Sequence, residues 1–163
     1  MSSQDRELKV KPTVFRSPAQ FLAFGFGSGL SPRAPGTVGT LLAALVYLPI
    51  VQLGLPAYTL FTLFAAVFGV WVCGVASQQL RVHDHPGIVW DEFVGFWITM
   101  WALPNTWPWV VSGFLLFRIF DIFKPWPISL LDKTVPGGLG IVIDDILAGV
   151  LACAVLHGVL WVL

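Results

Sequence analysis

Residues 141–163 read IVIDDILAGVLACAVLHGVLWVL, an apolar run interrupted near its start by Asp144 and Asp145. A helix needs about 20 predominantly apolar residues to cross the hydrocarbon core of a bilayer. The run is long enough, so it predicts a membrane-spanning helix with two carboxylates near one end. Ionisable residues in or near such a helix are costly and usually functional.

The whole chain has the composition of a membrane protein. Of its 163 residues, 56% are hydrophobic and 11% are charged, and the mean hydropathy is +0.82. A soluble domain of this size exposes too much of its surface to hide so much apolar area. The formal net charge is zero, so no broad basic face is available for nucleic acid. Cys73 and Cys153 lie in apolar runs without a CxxC pattern, which predicts neither a disulfide framework nor a zinc site.

Hydropathy predicts an all-α fold, a polytopic membrane helical bundle with four or five apolar segments. The candidate segments are 38–54, 57–76, 89–103, 107–123 and 141–163. The third is short and begins with two acids, so we expect it to be tilted, shallow or re-entrant. Residues 17–30 predict a further N-terminal interfacial or re-entrant helix that starts at Ser17 and Pro18. Residues 1–16 form a polar tail, and residues 17–163 form a single membrane-embedded domain.

The distribution of charge predicts the orientation of these segments. Every Lys, Arg, Asp and Glu lies within residues 1–37, 78–92 or 118–145, whereas the turns at 54–56 and 104–106 are uncharged. If consecutive segments cross in opposite directions, the three charged regions fall on one side. They contain all the Lys and Arg, so the positive-inside rule makes that side cytoplasmic.

This topology brings the acids of three segments to a common membrane face. Asp91 and Glu92 begin the third segment, Asp121 lies near the end of the fourth, and Asp144 and Asp145 lie about one turn into the fifth. Capping of helix N-termini explains one acid per helix, but adjacent pairs favour a functional site. Carboxylate oxygens without a Cys or His cluster favour magnesium over zinc. We therefore assign the two adjacent pairs to metal binding.

An internal similarity supports the assignment. Residues 88–95, IVWDEFVG, resemble residues 141–149, IVIDDILAG, and each stretch follows a Gly-containing turn. Two similar helix starts would each supply a carboxylate pair. Gly95, Ala148 and Gly149 lie about one turn later and would let the two helices approach closely.

A second motif lies in residues 118–127, RIFDIFKPWP. Arg118, Asp121 and Lys124 are three residues apart and share one helical face, and Pro125 is expected to end the helix. A carboxylate between two cations suits a site that receives both a metal and a phosphate. The alternative is an intramembrane ion pair, with Lys124 extending to the interface.

Two loops supply further candidates. Residues 25–40, GFGSGLSPRAPGTVGT, form a glycine-rich turn that enters a helix and could cradle phosphate oxygens, although the Walker ending is absent. Its candidate phosphate ligands are Ser28, Ser31, Arg33, Gly36 and Thr37. In residues 82–87, VHDHPG, His83 or His85 could shuttle protons near neutral pH, with Asp84 as a further catalytic candidate. A solvated loop is the alternative for this second stretch.

These motifs, in this order, resemble the phosphatidylglycerophosphatase A family. The matching stretches are GFGSGLSPRAPGTVGT, VHDHPGIVWDEFVGFWIT, FRIFDIFKPWPI and GGLGIVIDDILAG, which run from about residue 24 to residue 149. The resemblance implies a magnesium-dependent phosphatase of the bacterial inner membrane, with its active site on the cytoplasmic side. It would remove the terminal phosphate from phosphatidylglycerophosphate in that leaflet, giving phosphatidylglycerol for phospholipid biosynthesis.

Under this resemblance, one or two Mg²⁺ ions are expected on Asp91, Glu92, Asp144 and Asp145. Asp121 would either join them or orient the nucleophile, and Arg118, Lys124 and Arg33 would stabilise the charge of the transferring group. Direct attack by water and an aspartyl-phosphate intermediate both stay open. The alternative from another class is a small cation channel or transporter, which would need charge near the bilayer centre and on both sides of it. The sequence does not predict an oligomeric state.

Overall fold

The computed structural model of the protein describes residues 11–163 and, at positions 132 and 133, the backbone alone. Every regular element in this range is helical, which confirms the all-α class. Residues 1–10 of the predicted polar tail lie outside the described residues. In the remainder of that tail, Val14 is buried against the helices.

Within the described range there are seven α-helices. They are α1 (Pro18–Ala23), α2 (Pro35–Ile50), α3 (Leu55–Leu80), α4 (Trp90–Thr99), α5 (Trp107–Phe123), α6 (Ile128–Thr134) and α7 (Gly137–Val162). Short 3₁₀ segments, Gly25–Leu30 and Val51–Leu53, follow α1 and α2. Ser17 caps α1 as predicted, because its hydroxyl accepts a hydrogen bond from the Gln20 backbone N–H.

Three helical stretches are long and apolar enough to cross a membrane: Pro35–Leu53, Leu55–Leu80 and Gly137–Val162. The predicted count of four or five apolar segments is not confirmed. α5 begins and ends at the predicted residues but has only 17 residues, and α4 has ten. The architecture is therefore a membrane helical bundle built on three candidate spans, with shorter helices packed among them.

α4 occupies the centre of the bundle. Nine of its ten residues are buried, and it packs against α2, α3, α5 and α7. At 1.5 Å per residue it is about 15 Å long, roughly half the thickness of a bilayer core. The Tyr58 hydroxyl donates to the Trp97 carbonyl oxygen at 2.6 Å, which satisfies one carbonyl of the last turn. Only residues 90–99 of the predicted segment 89–103 thus form a helix, and this helix ends inside the protein at the buried Thr99 and Met100.

Glycines let α4 and α7 pack with their backbones in near contact. A Cβ atom at Gly149 would lie 2.4 Å from the Gly95 carbonyl oxygen, and one at Gly95 would lie 2.8 Å from the Asp145 carbonyl oxygen. The Thr99 hydroxyl contacts the carbonyl oxygens of both glycines, at 2.9 and 3.5 Å. The prediction that small residues allow these helices to approach closely is confirmed.

α7 starts earlier than predicted. Its first residue is Gly137, so Asp144 and Asp145 lie about two turns into the helix rather than one. The glycines before residue 141 suggest a turn, but Gly138 lies within the helix, where a Cβ would be 1.9 Å from the Val70 carbonyl oxygen of α3. Close helix packing, not chain reversal, explains this glycine.

Candidate active site

The charged ends of the helices enclose one polar cavity of about 280 Å³. Side chains from α2, α4, α5, α7 and the loop before α4 line it. The charged residues among them are Asp84, Asp91, Glu92, Arg118, Asp121, Lys124, Asp144 and Asp145. The five carboxylates that the topology predicts at a common face therefore line a single cavity, together with Asp84.

Arg118 connects α5 to α4 at this cavity. Its Nη1 atom lies 3.0 Å from Oε1 of Glu92 and 2.5 Å from Oδ2 of Asp121. The same nitrogen lies 3.5 Å from the Thr40 hydroxyl on α2. The Arg118 side chain is 14% exposed, so the pairs are shielded from bulk water and hold the guanidinium in place. The predicted shared face of Arg118 and Asp121 is confirmed.

Lys124 connects α5 to α7. Pro125 follows it, α5 ends at Phe123 as predicted, and Lys124 has a left-handed backbone with φ of 42°. Its Nζ atom lies 2.6 Å from Oδ2 of Asp144. Lys124 therefore lies just beyond the helix, and the prediction that it shares a helical face with Arg118 and Asp121 is wrong; Arg118 and Lys124 nevertheless each meet one of the two acidic pairs.

The other member of each acidic pair has no cationic partner among the described residues. These are Asp91, 9% exposed, and Asp145, 3% exposed. One Asp91 oxygen accepts a hydrogen bond from the Glu92 backbone N–H at 3.0 Å. Oδ2 of Asp145 and Oε2 of Glu92 are buried and accept no hydrogen bond from the residues described. Burying a carboxylate oxygen in this way is unfavourable unless a cation or donor meets it.

The residue set is chemically suited to a magnesium ion. Carboxylate oxygens are the ligands that Mg²⁺ prefers, and the buried oxygens of Glu92 and Asp145 need a positive partner. Among the side chains that the structure describes, residues 11–131 and 134–163, no three of Asp, Glu, His or Cys already surround a common point as metal ligands do. The ion pairs give a reason, because Arg118 draws Glu92 and Lys124 draws Asp144 toward α5.

Known proteins with similar sequences place the chain in a family. The profile of the family described as Phosphatidylglycerophosphatase A matches residues 21–160. The chain belongs to this family. A relative from Escherichia coli (strain K12), named Phosphatidylglycerophosphatase A, is 49% identical over 142 residues, which cover 86% of this chain and 83% of the relative. A relative of the same name from Haemophilus influenzae is 41% identical over 152 residues, covering 92% and 93%.

A third relative, from Bacteroides thetaiotaomicron, carries the provisional name phosphatidylinositol-3-phosphatase. It is 38% identical over 148 residues, covering 85% of this chain and 91% of the relative. No solved structure matches the chain. Membership of the phosphatidylglycerophosphatase A family makes the protein an enzyme, a phosphoric monoester hydrolase.

In this phosphatidylglycerophosphatase A family member, the glycine-rich stretch makes room for an acid. A Cβ at Gly36 would lie 2.0 Å from Oε1 of Glu92, and one at Gly39 would lie 2.7 Å from Oε2 of the same side chain. The Thr40 hydroxyl donates to the Gly36 carbonyl oxygen at 2.9 Å. Sequence reasoning did not single out Thr40, although its position four residues after Gly36 places both on one helical face.

Four of the predicted phosphate ligands do not line the cavity, whereas Gly36 does. The Ser28 hydroxyl donates to a backbone carbonyl of its own turn, the Ser31 hydroxyl donates to the Arg33 carbonyl oxygen, and Arg33 is exposed. The fourth, Thr37, is half-buried on α2. Ser28, Ser31, Arg33 and Thr37 are therefore absent from the cavity lining, and their phosphate-binding roles stay predictions.

The candidate residues of the loop before α4 also differ in whether they line the cavity. Asp84 lines the cavity, but His83 does not. His83 Nε2 accepts a hydrogen bond from the Gly137 backbone N–H at 3.0 Å, at the first residue of α7. His85 Nδ1 accepts one from the Gly87 N–H at 3.0 Å. Both histidine side chains thus accept hydrogen bonds from backbone N–H groups, and a proton-shuttle role for His83 stays a prediction.

Proposed function

We propose that the protein hydrolyses the terminal phosphate of phosphatidylglycerophosphate, giving phosphatidylglycerol and inorganic phosphate, with Mg²⁺ as cofactor. The reaction would take place at the cytoplasmic face of the bacterial inner membrane, as a step of phospholipid biosynthesis. The names of the E. coli and H. influenzae relatives support the substrate. The observation that carries the chemistry is the single cavity in which the acidic pairs of α4 and α7 lie beside Arg118 and Lys124.

In this proposal the cations of α5 bind the phosphoryl group. Arg118 offers a planar fork of N–H donors that matches phosphate oxygens, and its burial strengthens each charge-assisted hydrogen bond. Asp121 acts as a positioning residue, because its carboxylate holds Arg118 at 2.5 Å on the same helical face. Lys124 adds a second positive charge beside α7.

The acids hold the metal in this proposal. Asp91 and Asp145 are the central ligands because they have no cationic partner among the described residues, and Glu92 and Asp144 complete the set. When bound, Mg²⁺ would polarise the phosphoryl group and lower the pKa of an attacking water. The buried Oε2 of Glu92 and Oδ2 of Asp145 support this placement.

The cytoplasmic location is supported by the distribution of charge. All Lys and Arg residues lie in the same three regions as the acids, whereas the turns at 54–56 and 104–106 are uncharged. The positive-inside rule then places the cavity beside the inner headgroups. A cation channel would need ionisable residues near the bilayer centre and on both sides of it, and the charge distribution offers no second set on the other side.

The test is phosphate release from the full chain, purified and reconstituted into lipid nanodiscs. We expect release from phosphatidylglycerophosphate, its abolition by EDTA, and recovery when Mg²⁺ but not Ca²⁺ is restored. Phosphatidylinositol 3-phosphate in parallel nanodiscs measures headgroup selectivity, given the provisional name of the Bacteroides relative. Release that is unaffected by EDTA would contradict the metal assignment, and release from the inositol lipid alone would contradict the substrate.

A further inference from the structure

A second cavity, of about 370 Å³, lies between α2 and α5. Its lining is almost wholly apolar and consists of nine side chains. On α2 they are Leu41, Ala44, Leu45 and Leu48, and α5 supplies Trp107, Val110, Val111, Phe114 and Leu115. We call this cavity the α2–α5 groove. Leu45, Val111 and Leu115 are more than half exposed on the protein surface, so the groove opens sideways toward lipid.

The groove begins where the polar cavity ends. On α2, Thr40 contacts Arg118, and the next residue, Leu41, already lines the groove. On α5, Leu115 lies one helical turn before Arg118 and also lines it. The same two helices therefore carry polar contacts at the cavity and an apolar channel directly beyond them. From Leu115 to Trp107 the groove follows about 12 Å of α5, at 1.5 Å per residue.

We propose that the α2–α5 groove binds one acyl chain of the lipid whose phosphate enters the cavity; the inference rests on the proposed function. The terminal phosphate held at Arg118 is joined through the headgroup glycerol and the phosphodiester to the glycerol that carries the acyl chains. The apolar path that starts nearest to Arg118 on α2 and α5 is the groove, which begins at Leu41 and Leu115. Its volume lies in the range of ligand pockets, and the indole N–H of Trp107 is the one polar side-chain group in its lining.

The groove contributes by positioning the lipid, and it adds little hydrophobic binding energy. Lipid tails are already in a solvent as apolar as leucine, so moving one into the groove yields little transfer free energy. Packing against Phe114 and the two helices instead orients the lipid, and thereby aligns its phosphate with the cations and acids. Correct alignment of the reacting group is worth large factors in rate. The groove therefore makes turnover depend on the length of the acyl chain.

Ala44 is the position at which this can be tested. It is half-buried, and its small side chain leaves space in the middle of the groove. The variant Ala44→Phe fills that space. The matched control is Ala154→Phe, the same change at an exposed position of α7 outside the groove. The substrates are dipalmitoyl and dihexanoyl phosphatidylglycerophosphate, in mixed micelles with the full-length protein.

For Ala44→Phe, we expect kcat/KM on the dipalmitoyl lipid to fall by roughly tenfold more than on the dihexanoyl lipid, as for a misfilled apolar pocket. Ala154→Phe should preserve the ratio of the wild type. An equal fall on both lipids, or no fall on either, overturns the inference. Wild-type protein that releases phosphate from neither lipid refutes the proposed function instead, so the two failures are distinguishable.

A measurement on the unmodified protein covers the case in which Ala44→Phe does not fold. Phosphatidylglycerophosphate with a diazirine in one acyl chain is incorporated into nanodiscs that contain the protein. The nanodiscs are irradiated, and the peptides that carry the cross-linked lipid are mapped. Labelling of α2 and α5 groove residues should fall when unlabelled phosphatidylglycerophosphate is added, while labelling of the exposed α3 residues Leu63 and Val67 should not. Equal competition at both surfaces, or none at the groove, overturns the inference.

Discussion

Residues 88–95 and 141–149 have similar sequence patterns but different surroundings. The first stretch leads into α4, which has ten residues and is buried on almost all sides. The second lies in α7, which has 26 residues and is apolar enough to span a membrane. Each presents an adjacent pair of acids to the same cavity. One motif therefore serves both a short internal helix and a long candidate span.

The two pairs are used in opposite order. In α4 the second acid, Glu92, pairs with Arg118, whereas in α7 the first acid, Asp144, pairs with Lys124. Adjacent residues on a helix point about 100° apart, so the rotation of each helix decides which acid meets α5. Asp91 and Asp145 remain without cations among the described residues. The comparison teaches that one sequence motif can supply two complementary halves of a site.

The largest effect is expected when these two acids lose their charge. Asp91→Asn and Asp145→Asn should each lower kcat by on the order of 10³-fold, the size seen when a group that stabilises transition-state charge is removed. The shape of the side chain is kept, so both variants should remain folded in detergent. Phosphate release and size-exclusion chromatography check this. A folded Asp91→Asn variant with full activity would show that the two motifs are not equivalent.

A smaller loss of activity is expected when Arg118, the cation that pairs with Glu92 of α4, is replaced. Arg118→Ala should lower kcat/KM by about 10²-fold, and Arg118→Lys should recover only part of it because Lys lacks the planar fork. Arg81→Ala is the matched control, since Arg81 is exposed and does not line the cavity. Steady-state kinetics distinguish the variants. Full activity of Arg118→Lys would mean that charge alone matters at this position.

Disturbing the backbone contact between α4 and α7 should lower the free energy of unfolding. Gly149→Ala places a Cβ 2.4 Å from the Gly95 carbonyl oxygen, and overpacking of this kind costs about 1–3 kcal/mol. Gly158→Ala, on the same helix with open space around it, should be neutral or slightly stabilising. Thermal unfolding in detergent measures both variants. Equal midpoints would show that α4 and α7 are not in backbone contact.

The smallest effect is expected at Arg33. It is exposed and lies outside the cavity lining, so Arg33→Gln should change kcat/KM by no more than about fivefold, as for an exposed charge worth ~1 kcal/mol or less. The same kinetic assay as for Arg118 applies. A loss as large as that of Arg118→Ala would restore the predicted role of Arg33 in binding phosphate, and would add a third cation to the two from α5.

Much of the fold followed from local sequence signals. The bounds of α5 were predicted because hydropathy marks residues 107–123 and Pro125 ends the helix, and the cap at Ser17 was predicted from residue type. The predicted segment 89–103 was only partly correct, because its last residues are not helical. Hydropathy measures how apolar a segment is, and it does not distinguish a helix surrounded by protein from one surrounded by lipid. α6 was not predicted as a helix, because seven residues between turns give too short a pattern.

By itself, the sequence determined the helical membrane class, the family, and the acids and cations that share one cavity, because hydropathy and charge order limit which segment ends can meet. Only the tertiary structure decided which acid of each pair meets a cation, and that Gly36 and Gly39 make room for Glu92. It also decided that Arg33 and His83 lie outside the cavity. The physical reason is that helix rotation and backbone approach depend on side chains distant in sequence, and no local pattern records them.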